Sequence, residues 1–227
     1  MRLRALRTTS DAPFCDHGRV TPNHRPTTVV FDLGGVLLDW NPRHLYRQMI
    51  DDPDEIEAFI DEVGLSAWNA RQDAGRAWEE AVEELATQFP HRRELIEAFW
   101  RRWPDTLGGE IEGTVEILGE LRDAGVRIVA LSNWSAVTFP VAYERFEVLH
   151  WFDGIVLSGE VGVNKPDARI FEVMAARLAV NPAEAVFIDD SPANVAAATA
   201  LGYTAIHFTG PESLRASLVE LGLLPTR

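Results

Sequence analysis

Residues 28–37 read TVVFDLGGVL, an apolar run that is interrupted by one aspartate and two glycines. Its first part, Thr28–Leu33, has the near-continuous apolar character of a strand that is buried on both faces of a parallel sheet. Asp32 falls where this strand ends. The stretch therefore predicts a central strand that carries a carboxylate at its carboxyl end.

Four later runs share this character, and amphipathic helical patterns accompany them. The further predicted strands are Arg127–Ser132, Gly154–Ser158, Ala185–Ile188 and Thr204–Phe208. The predicted helices are Glu112–Ala124, Ala168–Leu178 and Ser191–Leu201, the last with Ser191 as N-cap and Pro192 at its first position. Alternation of strand and helix predicts an α/β fold with a doubly wound, Rossmann-like parallel sheet.

A long segment after the first strand departs from this alternation, because its pattern is helical throughout. Breakers at Asp51-Asp52-Pro53, Gly64, Pro90-His91 and Pro104 divide it into roughly four helices. Such an insertion would lie above the strand ends as a cap. The predicted division is a disordered N-terminal extension at 1–26, an α/β core at 27–40 and 106–227, and a helical cap at 41–105.

Composition excludes several classes of protein. The net charge of −14 argues against a nucleic-acid partner, which needs a basic face. The chain holds one cysteine and no apolar run long enough to span a membrane, so we expect a cytoplasmic protein. Monomer and homodimer both remain open.

Lys165 is the single lysine among 21 basic residues. Arginine serves at every other cationic position, so the lone ammonium is expected where a planar guanidinium would not fit. A compact positive charge beside a phosphate or a carboxylate is one such place.

Polar residues follow three of the predicted strands at their carboxyl ends. They are Asp32, Ser132, Asn133, Asp189 and Asp190. Open α/β sheets bind ligands at this edge. Three carboxylates meeting there would repel one another unless a cation joined them, and all-oxygen ligands favour magnesium. With the lone lysine, such a cation would suit a phosphoryl group.

Four motifs at these strand ends resemble those of the haloacid dehalogenase-like hydrolase superfamily, over about residues 27–210. The motifs are Phe31-Asp32-Leu33-Gly34-Gly35-Val36-Leu37, Leu131-Ser132-Asn133, Lys165-Pro166 and Asp189-Asp190-Ser191-Pro192-Ala193-Asn194. The resemblance implies a Mg²⁺-dependent phosphatase that acts on a small phosphorylated metabolite. In such enzymes the first aspartate attacks phosphorus, and water then hydrolyses the aspartyl-phosphate.

The resemblance also implies roles for the individual residues. Asp32 would be the nucleophile and a metal ligand, and Gly34 would offer its backbone carbonyl to the metal beside the phosphoryl group. Asp190 would bind the metal directly, and Asp189 directly or through water. Asn194 would orient the lysine or the acidic pair.

Three residues would contact the phosphoryl group. Ser132 would donate a hydrogen bond to a phosphoryl oxygen, with help from the Asn133 amide. Lys165 would bridge Asp32 and the phosphoryl group and offset the negative charge that develops during transfer.

One position departs from the superfamily pattern. Its phosphatases usually carry a second aspartate two residues after the nucleophile, as the acid and base of the reaction, and here that residue is Gly34. One alternative is a phosphatase whose proton comes from a cap residue, from water, or is not needed because the leaving group is good, as for a sugar phosphate. A second is a 2-haloacid dehalogenase, against which the Asp189-Asp190 pair argues. A third is a catalytically lapsed phosphometabolite-binding protein.

Specificity residues are expected in the predicted cap. Arg43 follows the first strand where the chain enters the cap. Trp68, Arg71 and Arg76 flank a polar stretch that would project over the site. Substrate contact by these four side chains is the prediction.

Overall fold

The structure is a computed structural model that describes residues 26–226. The predicted disordered extension, 1–26, lies outside the described residues except for Pro26. None of the described helices is both long and apolar enough to cross a membrane.

Five parallel strands form the central sheet. The strands of the chain are β1 Thr28–Phe31, β2 Leu38–Trp40, β3 Leu107–Glu110, β4 Arg127–Ser132, β5 Gly154–Leu157, β6 Ala185–Asp189 and β7 Thr204–His207. The sheet has the order β5-β4-β1-β6-β7, so the chain builds outward from β1 first on one side and then on the other. The predicted fold class, a Rossmann-like α/β sheet, is confirmed.

Eleven α-helices complete the described part of the chain. They are α1 Pro42–Tyr46, α2 Pro53–Glu62, α3 Leu65–Asp73, α4 Trp78–Gln88, α5 Arg93–Arg101, α6 Glu112–Asp123, α7 Phe139–Arg145, α8 Ser158–Val161, α9 Ala168–Leu178, α10 Pro192–Ala200 and α11 Pro211–Glu220. We call α1–α5 the helical insertion, because they lie between β2 and β3.

Strand β1 shows why the sheet is central. Val29 and Phe31 belong to one apolar cluster and Val30 to another, and all three side chains are fully buried. Alternate residues of a strand point to opposite faces, so both faces of the sheet are covered. Helices α9 and α10 contribute to the cluster that contains Val30.

The other cluster extends from the sheet into the helical insertion. Trp68, Trp78 and Phe99 belong to the same cluster as Val29 and Phe31. The Trp68 ring packs edge-on against Trp78, with their centroids 5.8 Å apart. The insertion and the sheet therefore share one apolar core, and this packing holds α3 above the strand ends.

Two details of the predicted secondary structure are wrong. Strands β2 and β3, which flank the helical insertion and pair antiparallel, were not predicted. Strand β3 reads LGGE and has one apolar residue, so no strand periodicity marks it. The insertion also has five α-helices rather than about four, because the stretch between the breakers Gly64 and Pro90 divides at Gly75, with φ +95°, into α3 and α4.

Candidate active site

A cavity of about 650 Å³ opens at the carboxyl ends of β1, β4 and β6. This position is where the chain changes direction across the sheet, which is the usual ligand site of open α/β sheets. Helix α3 of the insertion forms the opposite wall of the cavity. The cavity therefore lies between the sheet edge and the insertion.

Asp32 lies on the floor of this cavity, and only 7% of the residue is exposed. Its Oδ1 atom accepts hydrogen bonds from Leu33 N at 2.7 Å and from Ser132 Oγ at 2.9 Å. Lys165 Nζ lies 3.0 Å from the same oxygen. These contacts fix the carboxylate through one oxygen, and Oδ2 is the oxygen left for chemistry.

Lys165 is the centre of the charged floor, and its side chain is fully buried. Besides Asp32, the ammonium donates to Asp189 Oδ2 at 2.6 Å and to Leu131 O at 2.8 Å. Three acceptors thus match its three donors. The lone lysine lies between two carboxylates, as a compact point charge can.

Asp189 is held from its other side by the turn that begins α10. Its Oδ1 accepts from Ser191 N and from Asn194 Nδ2, both at 2.9 Å. Asn194 therefore holds the Asp189 carboxylate in place. Ser191 occupies the N-cap position, but its side chain makes no capping hydrogen bond.

The Asn133 amide does not point at Asp32. Its Nδ2 donates to Lys165 O at 3.0 Å, and its Oδ1 accepts from Lys165 N at 2.8 Å. Asn133 also lines the cavity. In this structure its amide group holds the backbone that carries the lysine.

The acidic residues have perturbed proton affinities. The pKa of Asp32 is raised to about 7, mainly by burial; the Lys165 charge lowers this pKa, and the Asp189 charge raises it. Burial, and then the Asp189 charge, also raise the pKa of Asp190. Each of the clustered carboxylates is therefore less stable as an anion than an isolated carboxylate, and a further cation would stabilise the anions.

The carboxylates fit a divalent cation. Asp32, Asp189 and Asp190 each offer an oxygen, and these oxygens lie within 4.8 Å of one another. Gly35 has φ +78°, and a Cβ atom there would lie only 2.6 Å from Asp190 Oδ2, so the backbone leaves room for that carboxylate. A hard, all-oxygen donor set of this kind suits Mg²⁺ or a similar ion.

The four predicted specificity residues lie outside the cavity lining. Arg43 pairs with Glu57, and Arg76 pairs with Glu84, on the surface of the insertion. Trp68 is buried in the core, and its indole N–H donates to Ala81 O at 3.2 Å. Arg71 is exposed. Three of the four side chains are therefore held outside the cavity, two of them in ion pairs and one in the core.

The upper wall is formed by Trp40, which was expected to line the entrance of the site, and by residues that were not predicted as substrate contacts. The latter are Ser66, Asn69, Ala70, Asp73, Trp103 and Trp134. Helical spacing was an available signal for one part of this set, because Ser66, Asn69, Ala70 and Asp73 recur at three- and four-residue intervals along α3. Trp40 ends β2 where the chain enters the insertion, and Trp134 directly follows the Leu131-Ser132-Asn133 motif, whereas no local pattern marks Trp103.

A parallel sheet with acidic residues at its carboxyl edge is typical of enzymes with a Rossmann-like α/β core. Residues 26–202 match the model of the family described as haloacid dehalogenase-like hydrolase, and the chain belongs to this family. The predictions of the superfamily and of a hydrolase are thereby confirmed.

Relatives and solved structures agree with this membership. A sesquiterpene phosphatase of Aspergillus oryzae is 28% identical over 180 residues, which cover 79% of this chain and 88% of that protein. A fructose-1-phosphate phosphatase of Escherichia coli is 26% identical over 187 residues, covering 78% and 94%. An enzyme of the same family from Bacteroides thetaiotaomicron, solved with magnesium and inorganic phosphate, has a TM-score of 0.60 at 22% identity, covering 82% and 95%.

Proposed function

We propose that this chain is a Mg²⁺-dependent phosphatase that hydrolyses a small phosphomonoester through an aspartyl-phosphate on Asp32. The observation that carries the proposal is the buried Lys165 ammonium between Asp32 and Asp189, at 3.0 Å and 2.6 Å. In this arrangement Asp32 faces the cavity as an anionic nucleophile. The single ammonium neutralises only part of the negative charge of the floor carboxylates. Phosphatase names among the relatives support the same reaction class.

The reaction begins with attack by Asp32 Oδ2 on phosphorus. The bond from phosphorus to the leaving oxygen breaks, and the phosphoryl group is then carried by Asp32. Ser132 Oγ and Lys165 Nζ already contact the other carboxylate oxygen and hold the attacking group in place. Both groups would then donate hydrogen bonds to the phosphoryl oxygens during transfer. Water then cleaves the aspartyl-phosphate.

Asp32, Asp189 and Asp190 would hold the magnesium ion, with the Gly34 carbonyl as a further oxygen ligand. A bound divalent cation supplies charge neutralisation that lets an anionic carboxylate approach an anionic ester. The related Bacteroides enzyme binds magnesium together with phosphate, which supports this choice of ion.

Chelation is expected to abolish the activity. Treatment with EDTA should remove hydrolysis of 4-nitrophenyl phosphate, and added MgCl₂ should restore it, because the acidic floor would otherwise repel the ester. Phosphate release is the measurement, and CaCl₂ serves as the control for a nonspecific ionic effect. Full activity in EDTA would contradict the metal-dependent mechanism.

The same assay separates phosphatase from dehalogenase. Halide leaves without a proton and needs no metal, whereas the Asp189–Asp190 pair would repel a haloacid in the absence of a cation. Chloride release from 2-chloropropionate that is insensitive to EDTA would favour the dehalogenase.

The cavity wall favours a substrate whose leaving alcohol is uncharged. Trp40, Trp103 and Trp134 line it, and the Trp103 and Trp134 ring centroids lie 5.6 Å apart. Among the described lining residues Lys165 is the only cationic side chain, and Asp32 and Asp189 already engage it. A second anionic group on the substrate would have no counterion there. Aromatic faces pack well on sugar rings and on isoprenoid chains.

The kcat/KM values for a panel of phosphate esters are expected to be higher when the leaving alcohol carries no anionic group. Fructose 1-phosphate, glucose 1-phosphate and farnesyl monophosphate should give higher kcat/KM than phosphoserine or fructose 1,6-bisphosphate. Steady-state phosphate release with Mg²⁺ measures the ranking, and 4-nitrophenyl phosphate is the reference. Preference for the bisphosphate would contradict the argument from the wall.

A further inference from the structure

The proposed reaction needs a proton for its leaving group. An alkoxide is a poor leaving group at neutral pH, and a positioned acid lowers this barrier. Lys165 is held by Asp32, Asp189 and Leu131 O, so it is not free to deliver a proton. Gly34, beside the nucleophile, has no side chain.

Asp73 is the remaining acidic residue of the cavity lining. Three carboxylates line the floor or contact it from beneath: Asp32 is the nucleophile, and Asp189 and Asp190 belong to the metal cluster. Asp73 approaches from the other side, at the carboxyl end of α3. It therefore faces the space that the leaving alcohol must occupy, since the phosphoryl group lies on the floor.

The environment of Asp73 favours the protonated acid. Burial raises the pKa of its carboxyl to about 7, and a hydrogen bond from Ser135 N–H lowers it. Asp73 is also the last residue of α3, where the helix dipole disfavours a negative charge. A carboxyl group in this state can both donate and accept a proton near neutral pH.

The side chain of Asp73 is also oriented. Asn69, one turn earlier on α3, donates from Nδ2 to Asp73 Oδ2 at 2.8 Å. Ser158 Oγ of the core donates to the backbone carbonyl of Asp73 at 2.6 Å, which holds the end of α3 against the sheet. Asn69 Oδ1 is buried, and no described residue donates to it.

We propose that Asp73, supplied by the helical insertion, is the general acid and base of the reaction, an assignment that rests on the proposed phosphatase function. Its carboxyl proton passes to the leaving oxygen as the bond from that oxygen to phosphorus breaks and Asp32 Oδ2 bonds to phosphorus. The resulting carboxylate then accepts a proton from the water that attacks the aspartyl-phosphate. Asp73 thereby returns to its starting state, with Asp32 free and inorganic phosphate released.

The test compares two esters of similar shape. Phenyl phosphate has a poor leaving group that needs a proton, whereas 4-nitrophenyl phosphate releases a stabilised anion that does not. Asp73→Asn should lower kcat/KM for phenyl phosphate by about 10²-fold and for 4-nitrophenyl phosphate by less than about tenfold. The kcat/KM value covers the steps through transfer to Asp32, so slow hydrolysis of the intermediate does not obscure the comparison.

Two controls accompany this comparison. Asp61→Asn removes an exposed carboxylate of the same insertion and should leave both rates unchanged. Asn69→Ala removes the side chain that orients Asp73, and should give the same preference for the better leaving group with a smaller loss. It also provides the test if Asp73→Asn does not fold.

A second acid placed on the nucleophile's loop is expected to restore the reaction. A Cβ atom at Gly34 would lie 3.7 Å from Trp40 Cβ, which is ordinary contact, so a side chain is tolerated. Gly34→Asp in the Asp73→Asn background should therefore recover a part of the phenyl phosphate activity that exceeds any recovery for 4-nitrophenyl phosphate.

The outcomes separate the two proposals. Equal losses of kcat/KM on both esters, or no loss on phenyl phosphate, would overturn the role of Asp73 and leave the phosphatase intact. A folded wild-type chain that hydrolyses neither ester with Mg²⁺ would instead overturn the proposed function, and the role of Asp73 with it.

Discussion

Asp32→Asn is expected to lower kcat for phosphomonoester hydrolysis by about 10⁴-fold or more, because an amide is a poor nucleophile. The replacement has nearly the same shape. Its amide oxygen can still accept the hydrogen bonds that Leu33 N and Ser132 Oγ give to Asp32 Oδ1. The loss is therefore expected in chemistry rather than in folding. Phosphate release with Mg²⁺ is the measurement, with circular dichroism as the check on the fold.

A matched control exists on β2, the next strand along the chain. Asp39→Asn changes an exposed carboxylate that pairs with His44 outside the cavity, and it should retain near wild-type turnover. Mass spectrometry after acid quench should detect a phosphorylated chain in the wild type and none in Asp32→Asn. Substantial turnover by a folded Asp32→Asn variant would refute covalent catalysis at this position.

Lys165→Met is expected to damage both activity and stability. Activity should fall by about 10²–10³-fold, because the developing charge loses its fixed cation. Asp189 is fully buried, and Asp32 nearly so, and both would be left without the ammonium. Breaking a buried pair in this way costs about 3–5 kcal/mol, of which protonation of the carboxylates recovers a part. Urea unfolding in EDTA measures the free energy of unfolding.

The double variant Lys165→Met/Asp189→Asn provides the control for this explanation. It removes a buried carboxylate together with its partner and should be more stable than Lys165→Met alone. Mg²⁺ should also reduce the instability of Lys165→Met, since it offers the carboxylates another cation. Equal stability of wild type and Lys165→Met in EDTA would show that the ammonium is not the cation that neutralises this floor.

Much of the site was predictable because its residues belong to the strand ends. Asp32, Ser132 and Asp189 each terminate or follow a strand whose apolar run is visible locally, and parallel pairing then brings these ends to one edge. The position of Asn194 on the first turn of α10 brings its amide to Asp189. The kind of group that Lys165 contacts was predictable, because a lone ammonium was expected beside a phosphate or a carboxylate.

The upper wall was not predictable in the same way. Arginines of the predicted cap were expected at the substrate, but Arg43 and Arg76 form ion pairs on the surface instead. Trp68 was also expected there and lies in the core. A charged or aromatic residue in a helical segment has several energetically similar partners, so local pattern does not select among them.

The amino-acid sequence by itself determined the parallel sheet, the order of its strands along the chain and the acidic floor with its single lysine. Hydrophobic periodicity and strand-end position are local properties, and they specify these features directly. Only the tertiary structure decided that Asp73 and Trp103 face this floor. Their placement depends on how the insertion packs through Trp68, Trp78 and Phe99 onto the core shared with the sheet, which is a long-range effect of apolar burial.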